Sequence, residues 1–146
     1  ATAVGMNALS SNTTANDNVA VGQNALENAT TGGANVALGT HTLRNLTTSI
    51  NNTAIGKDAL NQVTTGGTNV AVGANAGDAI TTANNSTCVG HQAGGAITTG
   101  HNNQIFGQNA GTGITTGTTN ALFGSHTCQQ LTTGNNNGYF GALVIT

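Results

Sequence analysis

Residues 52–73 read NTAIGKDALNQVTTGGTNVAVG, one complete unit of a pattern and the opening of the next. Asn52-Thr53-Ala54-Ile55 before Gly56 returns seventeen residues later as Asn69-Val70-Ala71-Val72 before Gly73. Extending that step in both directions finds Gly5, Gly22, Gly39, Gly56, Gly73, Gly90, Gly107, Gly124 and Gly141 without one insertion. A fixed period of this kind is the mark of stacked units, so it takes precedence over any local propensity. Each coil is numbered here from position 1, at Ala1, Asn18, Asn35, Asn52, Asn69, Ser86, Asn103, Asn120 and Asn137. Position 1 is then Asn in seven of nine coils, position 4 is always large and apolar, and positions 13 and 14 are Thr in all eight coils that reach them.

A seventeen-residue unit cannot bury its own apolar side, and columns free of length variation are what a β-solenoid requires. Helical repeats need about 33 to 47 residues per unit, and Thr-Thr, Gly and Asn at fixed positions are poor helix formers. The expected fold is all-β, a parallel β-solenoid (β-roll) of about 8.5 coils with a 17-residue repeat, forming one domain over residues 1–146. At about 4.8 Å per coil the rod is roughly 40 Å long. Positions 2 to 4 read as one short strand and positions 12 to 14 as a second, and alternation is taken to put position 4 inside and position 3 outside. Asn at position 1 is suited to bonding turn backbone and stacking its amide on the coils above and below. Position 9 runs Leu9, Leu26, Leu43, Leu60 and then Gly77, Gly94, Gly111, while position 12 gains Ile80, Ile97 and Ile114 over the same coils. Such compensation implies that both columns point into one narrow core.

Composition narrows the function. Only 4% of residues are charged, against about 25% in an ordinary globular chain, which excludes electrostatic capture of nucleic acid or an anionic membrane. Gly, Asn and Thr make up 71 of 146 residues and there is no Trp, a bias foreign to an enzyme with a thick aromatic core. Low charge also argues against disorder. No apolar run approaches the roughly 18 residues of a membrane span, so no membrane insertion is expected.

Convergent titratable groups are missing as well. Glu27, Arg44, Lys57, Asp58 and Asp78 are spread over coils two to five, and the last 68 residues contain no Asp, Glu, Lys or Arg. No catalytic set and no cofactor is therefore expected. Glu27 and Arg44, stacked at position 10, form an exposed pair worth under about 1 kcal/mol. His41 and His126 share position 7 but sit roughly 24 Å apart, so no zinc site closes, and the acidic nonapeptide of calcium-binding β-rolls is absent. Cys88 and Cys128 lie two coils apart, beyond the reach of an intrachain disulfide, which leaves two buried or half-buried thiols or a bridge between chains. Sequons for N-glycosylation occur at Asn12, Asn28, Asn45, Asn51, Asn84 and Asn85 and matter only on a glycosylating secretory route.

The unit Thr53 to Leu60 followed by Thr64 to Gly66 resembles the repeats of phage tail-fibre proteins and the head repeats of trimeric autotransporter adhesins of the YadA type. The resemblance runs along the whole chain. It implies a left-handed parallel β-roll, commonly assembled as a trimer, on a cell or virion surface and acting in attachment.

Two surface features bear on partners. With position 3 outside, Cys88, Ile105, Leu122 and Tyr139 form an apolar stripe toward water, expected to mark an interface together with Leu143 and Ile145 of the last strand. Thr-Thr, read as strand, presents a single outward hydroxyl rank, which leaves ice binding as a minor alternative. Pro is absent throughout and the final coils hold no charged side chain to cap the solenoid, so either head-to-tail growth or continuation in a longer chain is expected. The leading expectation is a non-enzymatic structural β-solenoid, the shaft or subunit of a self-assembling extracellular fibre or filament. Its partner is itself, as a lateral trimer or head-to-tail filament. The alternative is an adhesin or tail-fibre module that binds a surface glycan or a host protein.

Overall fold

The aliphatic, β-branched or aromatic residues before each position-5 glycine form a strand in every coil. These are β1 (Thr2–Val4), β2 (Val19–Val21), β3 (Val36–Leu38), β4 (Thr53–Ile55), β5 (Val70–Val72), β6 (Thr87–Val89), β7 (Gln104–Phe106), β8 (Ala121–Phe123) and β9 (Gly138–Phe140). A computed structural model describes residues 1–142, and in it the nine strands line up in chain order as one parallel sheet. Each strand pairs with the residues seventeen further on, Thr53 with Val70 and Ala54 with Ala71. The chain is an all-β parallel solenoid of about eight turns, with no helix among the described residues.

The position-1 column holds the sheet to one register from inside. Asn18, Asn35, Asn52 and Asn69 are fully buried. Asn18 Oδ1 accepts the Asn35 backbone N–H at 2.8 Å, and Asn35 Oδ1 and Asn52 Oδ1 repeat the bond to Asn52 and Asn69 at 2.9 Å each. Each amide nitrogen donates to the corner carbonyl at position 15 of its own coil, as Asn69 Nδ2 does to Ala83 O at 2.8 Å. The amide thus closes on both sides what would otherwise be orphaned polar groups in a dry interior. Where Ser86 stands in this column, its shorter hydroxyl still accepts the Asn103 N–H, at 3.3 Å. At position 5 the coils approach so closely that a Cβ on Gly73 would lie 2.6 Å from Gly90 O, with φ at +134°. Only glycine combines that backbone with that approach.

The phase of the strand is the reverse of the sequence expectation. Cys88, Ile105 and Leu122 at position 3 are wholly buried and Tyr139 is half-buried, whereas Leu38 and Ile55 at position 4 are 39% exposed. Alternation holds but runs in the other phase: with the Asn amides of position 1 inside, position 3 follows inside and position 4 must point out. The stripe Cys88, Ile105, Leu122, Tyr139 is therefore core and not an outward interface. Leu143 and Ile145 lie outside the described residues.

Volume compensation consequently involves three columns. In coils two to five, Ala20, Ala37, Ala54 and Ala71 line the interior at position 3, opposite Leu26, Leu43 and Leu60. Once position 9 becomes glycine, the space is taken from across the coil. A Cβ on Gly94 would meet Cys88 Sγ at 2.7 Å and Ile105 Cδ1 at 3.2 Å, and one on Gly111 would meet Ile105 Cδ1 at 2.9 Å and Leu122 Cδ1 at 3.0 Å. Position 12 joins the same core through Val63, Ile80, Ile97 and Ile114, all fully buried. The exchange between positions 9 and 12 is thus part of a larger one in which position 3 supplies the bulk.

Positions 12 to 14 are not a second strand: position 12 has no regular structure and positions 13 and 14 are bends. In coils two to seven position 12 is buried and position 13 half-buried, and position 14 is exposed throughout. Without strand alternation the two threonines both reach the surface. The position-13 hydroxyl is spent on the next coil, Thr64 Oγ1 donating to Thr81 O and Thr81 Oγ1 to Thr98 O, each at 3.2 Å.

Candidate functional site

Three surfaces were candidates for function: the outer sheet face, the threonine ranks, and the turn opposite the sheet. The outer face follows from the corrected phase. Positions 2 and 4 of β1 to β9 point to water and carry a nearly unbroken column of Val, Leu, Ile and Phe. Val4 is 58% exposed, Val70 37% and Phe140 76%. At the C-terminal end Phe106, Phe123 and Phe140 stack with centroids 4.9 Å apart and planes within 5° and 2° of parallel. With position 4 expected inside, the sequence reading does not foresee this aromatic ladder. The one pointer in the sequence is the Asn column at position 1, whose burial the folded coils establish.

Along the threonine edge, Thr31, Thr48, Thr65, Thr82, Thr99 and Thr116 are exposed, and their hydroxyls donate to no protein group among the described residues. Position 13 therefore has a structural duty in coils one to seven, from Thr13 bonding Thr30 O to Thr115 bonding Thr132 O, and position 14 has none in the isolated chain.

On the turn, the same column positions differ between the two halves of the rod. In coils two to four, positions 10 and 11 carry long polar side chains that pair with one another. Arg44 Nε donates to Glu27 Oε2 at 2.6 Å, Asn28 Nδ2 to Asn45 Oδ1 at 3.3 Å, and Asn45 Nδ2 to Gln62 Oε1 at 3.1 Å. The Glu27–Arg44 pair expected from sequence thus forms, half-exposed. Beside it Asp58 holds His41 Nδ1 at 3.2 Å and Lys57 Nζ at 3.5 Å. In coils five to seven these positions shrink to Ala79, Gly95, Ala96 and Gly113, and a cavity of about 370 Å³ opens there. Asp78, Gln92, Asn109, Thr112 and Gln129 line it. The Asp78 carboxyl is pushed above its usual range, chiefly by burial, with the backbone N–H groups of Asp78 and Ala79 pulling the other way and the charge of Asp58 adding slightly.

The sequons fall in two groups. Asn28, Asn45 and Asn84 have their amides engaged, Asn84 Oδ1 accepting the Gly67 N–H at 2.7 Å, and Asn12 Nδ2 donates to Ala15 O at 3.2 Å. Asn51 and Asn85 are exposed, and their side chains bond no group among the described residues. Cys88 and Cys128 are buried, and burial raises the Cys88 thiol to about 12, so that thiol is no bridging group on the surface. Among the described residues no three His, Cys, Asp or Glu side chains gather as a metal site, and no helix is long and apolar enough to cross a membrane.

No family model matches the chain, and neither the curated proteins nor the solved structures include a match to it.

Proposed function

We propose that this chain is a non-enzymatic structural β-solenoid, the shaft or subunit of a self-assembling extracellular fibre, and that copies associate side by side through the outer sheet face. The observation that carries the reading is the exposed apolar column of position 4, from Val4 through Leu38 and Ile55 to Phe140, on a rod almost without charge. Exposed apolar faces this continuous usually mark an interface. Nine strands at about 4.8 Å and a face about 10 Å wide give roughly 400 Å² per chain. A pair would then bury about 800 Å², and three chains closing around one axis would divide about 1,200 Å² over three seams, so the face suits a weak association rather than a large obligate interface. The lateral trimer follows the adhesin and tail-fibre repeats that the unit resembles.

Placing charge on the face tests the proposal. Leu38→Asp with Ile55→Asp leaves the core untouched, so sedimentation should report a mass lowered toward 14.3 kDa with an unaltered circular dichroism spectrum. Ile105→Asp, by contrast, should unfold its coils, because Ile105 is fully buried. A wild-type protein that sediments as a monomer at high concentration, or a folded Leu38→Asp, Ile55→Asp double variant that keeps the wild-type assembly mass, overturns the proposal.

A further inference from the structure

We infer that the cavity on coils five to eight, floored by Gly95 and lined by Asp78, Gln92, Asn109, Thr112 and Gln129, is a binding site for a neutral polyhydroxylated ligand, an oligosaccharide segment. The inference goes beyond the assembly reading and does not depend on it.

The first ground is an internal comparison. The same column positions in coils two to four are filled by long side chains that satisfy one another, through Glu27–Arg44 and the Asn28, Asn45, Gln62 amide run. In coils five to seven the bulk is removed, yet the polar groups at the margin are kept. Among the described residues, Gln92 and Gln129 make no side-chain hydrogen bond to the protein and Asp78 has no ion-pair partner. The filling side chains are gone there while a half-buried carboxylate without a cationic partner, bonded only by the backbone N–H groups of Asp78 and Ala79, is kept.

Gly95 supplies a second, independent ground. Its φ lies outside the left-handed region, so nothing in the backbone requires glycine there. What its missing side chain leaves is room: a Cβ at this position would stand 3.2 Å from Asp78 Oδ1, 3.3 Å from Gln92 O and 3.7 Å from Asn75 O. The glycine keeps open the approach to the carboxylate and to two backbone carbonyls. No other coil places glycine at position 10.

Ligand class follows from the donor and acceptor inventory. The carboxamides of Gln92 and Gln129 both donate and accept, Asp78 accepts, and Thr112 Oγ1, which donates to Asn109 O at 3.4 Å, still accepts, while Asn109 Nδ2 lies 3.2 Å from His126 Nε2 and is already engaged. A cation would use the oxygens and leave the amide N–H groups facing it, while a simple anion would face the carboxylate. Sugar hydroxyls, each donor and acceptor, can serve Gln92, Gln129, Asp78 and the Thr112 oxygen together. The site runs over four coils, three spacings or about 14 Å, so it suits a chain segment rather than a single ion. Its volume of about 370 Å³ lies at the small end of ligand sites.

Saturation-transfer difference NMR reads the ligand's own signals, so a large protein assembly is no obstacle to it. The probes are maltose, lactose, chitobiose and mannobiose, each at about 20 mM with the full chain, a concentration that reaches the weak, millimolar end of affinity. At least one should give transfer that Gly95→Val, which fills the floor, reduces by about tenfold or more, equivalent to the about 1.4 kcal/mol of one lost contact. Gln92→Ala with Gln129→Ala should weaken it comparably, and Asn28→Ala, on the filled half of the turn, should leave it unchanged. Circular dichroism verifies that each variant is folded; if Gly95→Val is not, the Gln92→Ala, Gln129→Ala double variant decides. No transfer from any of the four sugars, or transfer that persists in the folded groove variants, overturns the inference. Transfer to a protein that sediments as a monomer would sink the assembly proposal while leaving this one standing.

Discussion

The core is held by three columns that trade volume, and transplanting the solution of one half of the rod into the other tests that claim. Leu60 occupies position 9 of coil four, fully buried, at a left-handed φ of 50°. Its replacement by Ala leaves a cavity and should cost about 3 to 5 kcal/mol, with no rescue of backbone strain because Ala also dislikes that region. Leu60→Gly removes the strain, worth about 1 to 2 kcal/mol, but adds a comparable entropy cost, so it should be about as destabilising. Ala71→Ile in the next coil alone overpacks the interior and should cost about 1 to 3 kcal/mol. Combined, Leu60→Gly and Ala71→Ile reproduce what Gly94 and Ile105 do in coils six and seven, where Ile105 Cδ1 lies 3.2 Å from the Cβ that Gly94 lacks. The pair should therefore be less destabilising than the sum of the singles by about 2 to 3 kcal/mol. Urea unfolding followed by circular dichroism measures all four proteins. Additivity within about 0.5 kcal/mol would mean that positions 3 and 9 do not share space, and the account of the core would be wrong.

Gly73→Ala should break the stack locally, costing more than about 3 kcal/mol, since the new Cβ would lie 2.6 Å from Gly90 O at φ +134°; a lowered unfolding midpoint measures it. Cys88, its thiol raised to about 12 by burial, should resist a thiol reagent in the native protein at about pH 8 and react on unfolding, which labelling followed by mass spectrometry reads. Asp78 has a native pKa raised above 3.8, so its folded form holds a proton that the unfolded chain has lost. Stability is favoured below that unfolded value and declines as pH rises through the raised native one; Asp78→Asn should flatten this part of a melting-temperature profile between about pH 3 and 7.

The architecture follows from the amino-acid order alone. A period of seventeen without insertions leaves only stacked coils, and glycine at position 5 with Asn at position 1 can be satisfied in no other arrangement with so little apolar bulk. The burial of Leu60 and Ile97 could likewise be read from columns that change together. Which side of the strand faces inward emerges only from the folded coils. Alternation is symmetric, so Ala54 and Ile55 are equally good candidates for the core, and a large side chain at position 4 argues for burial until the interior is known to be too narrow to take it. The buried amide ladder of Asn18 to Asn69 breaks the tie, because those side chains need partners above and below in a dry space and carry position 3 inward with them. The cavity beside Gly95 was beyond sequence reading for a similar reason. Small residues at positions 10 and 11 read as coil corners, and only the coils stacked in register bring Asp78, Gln92, Thr112 and Gln129, up to 51 residues apart in the chain, around one opening.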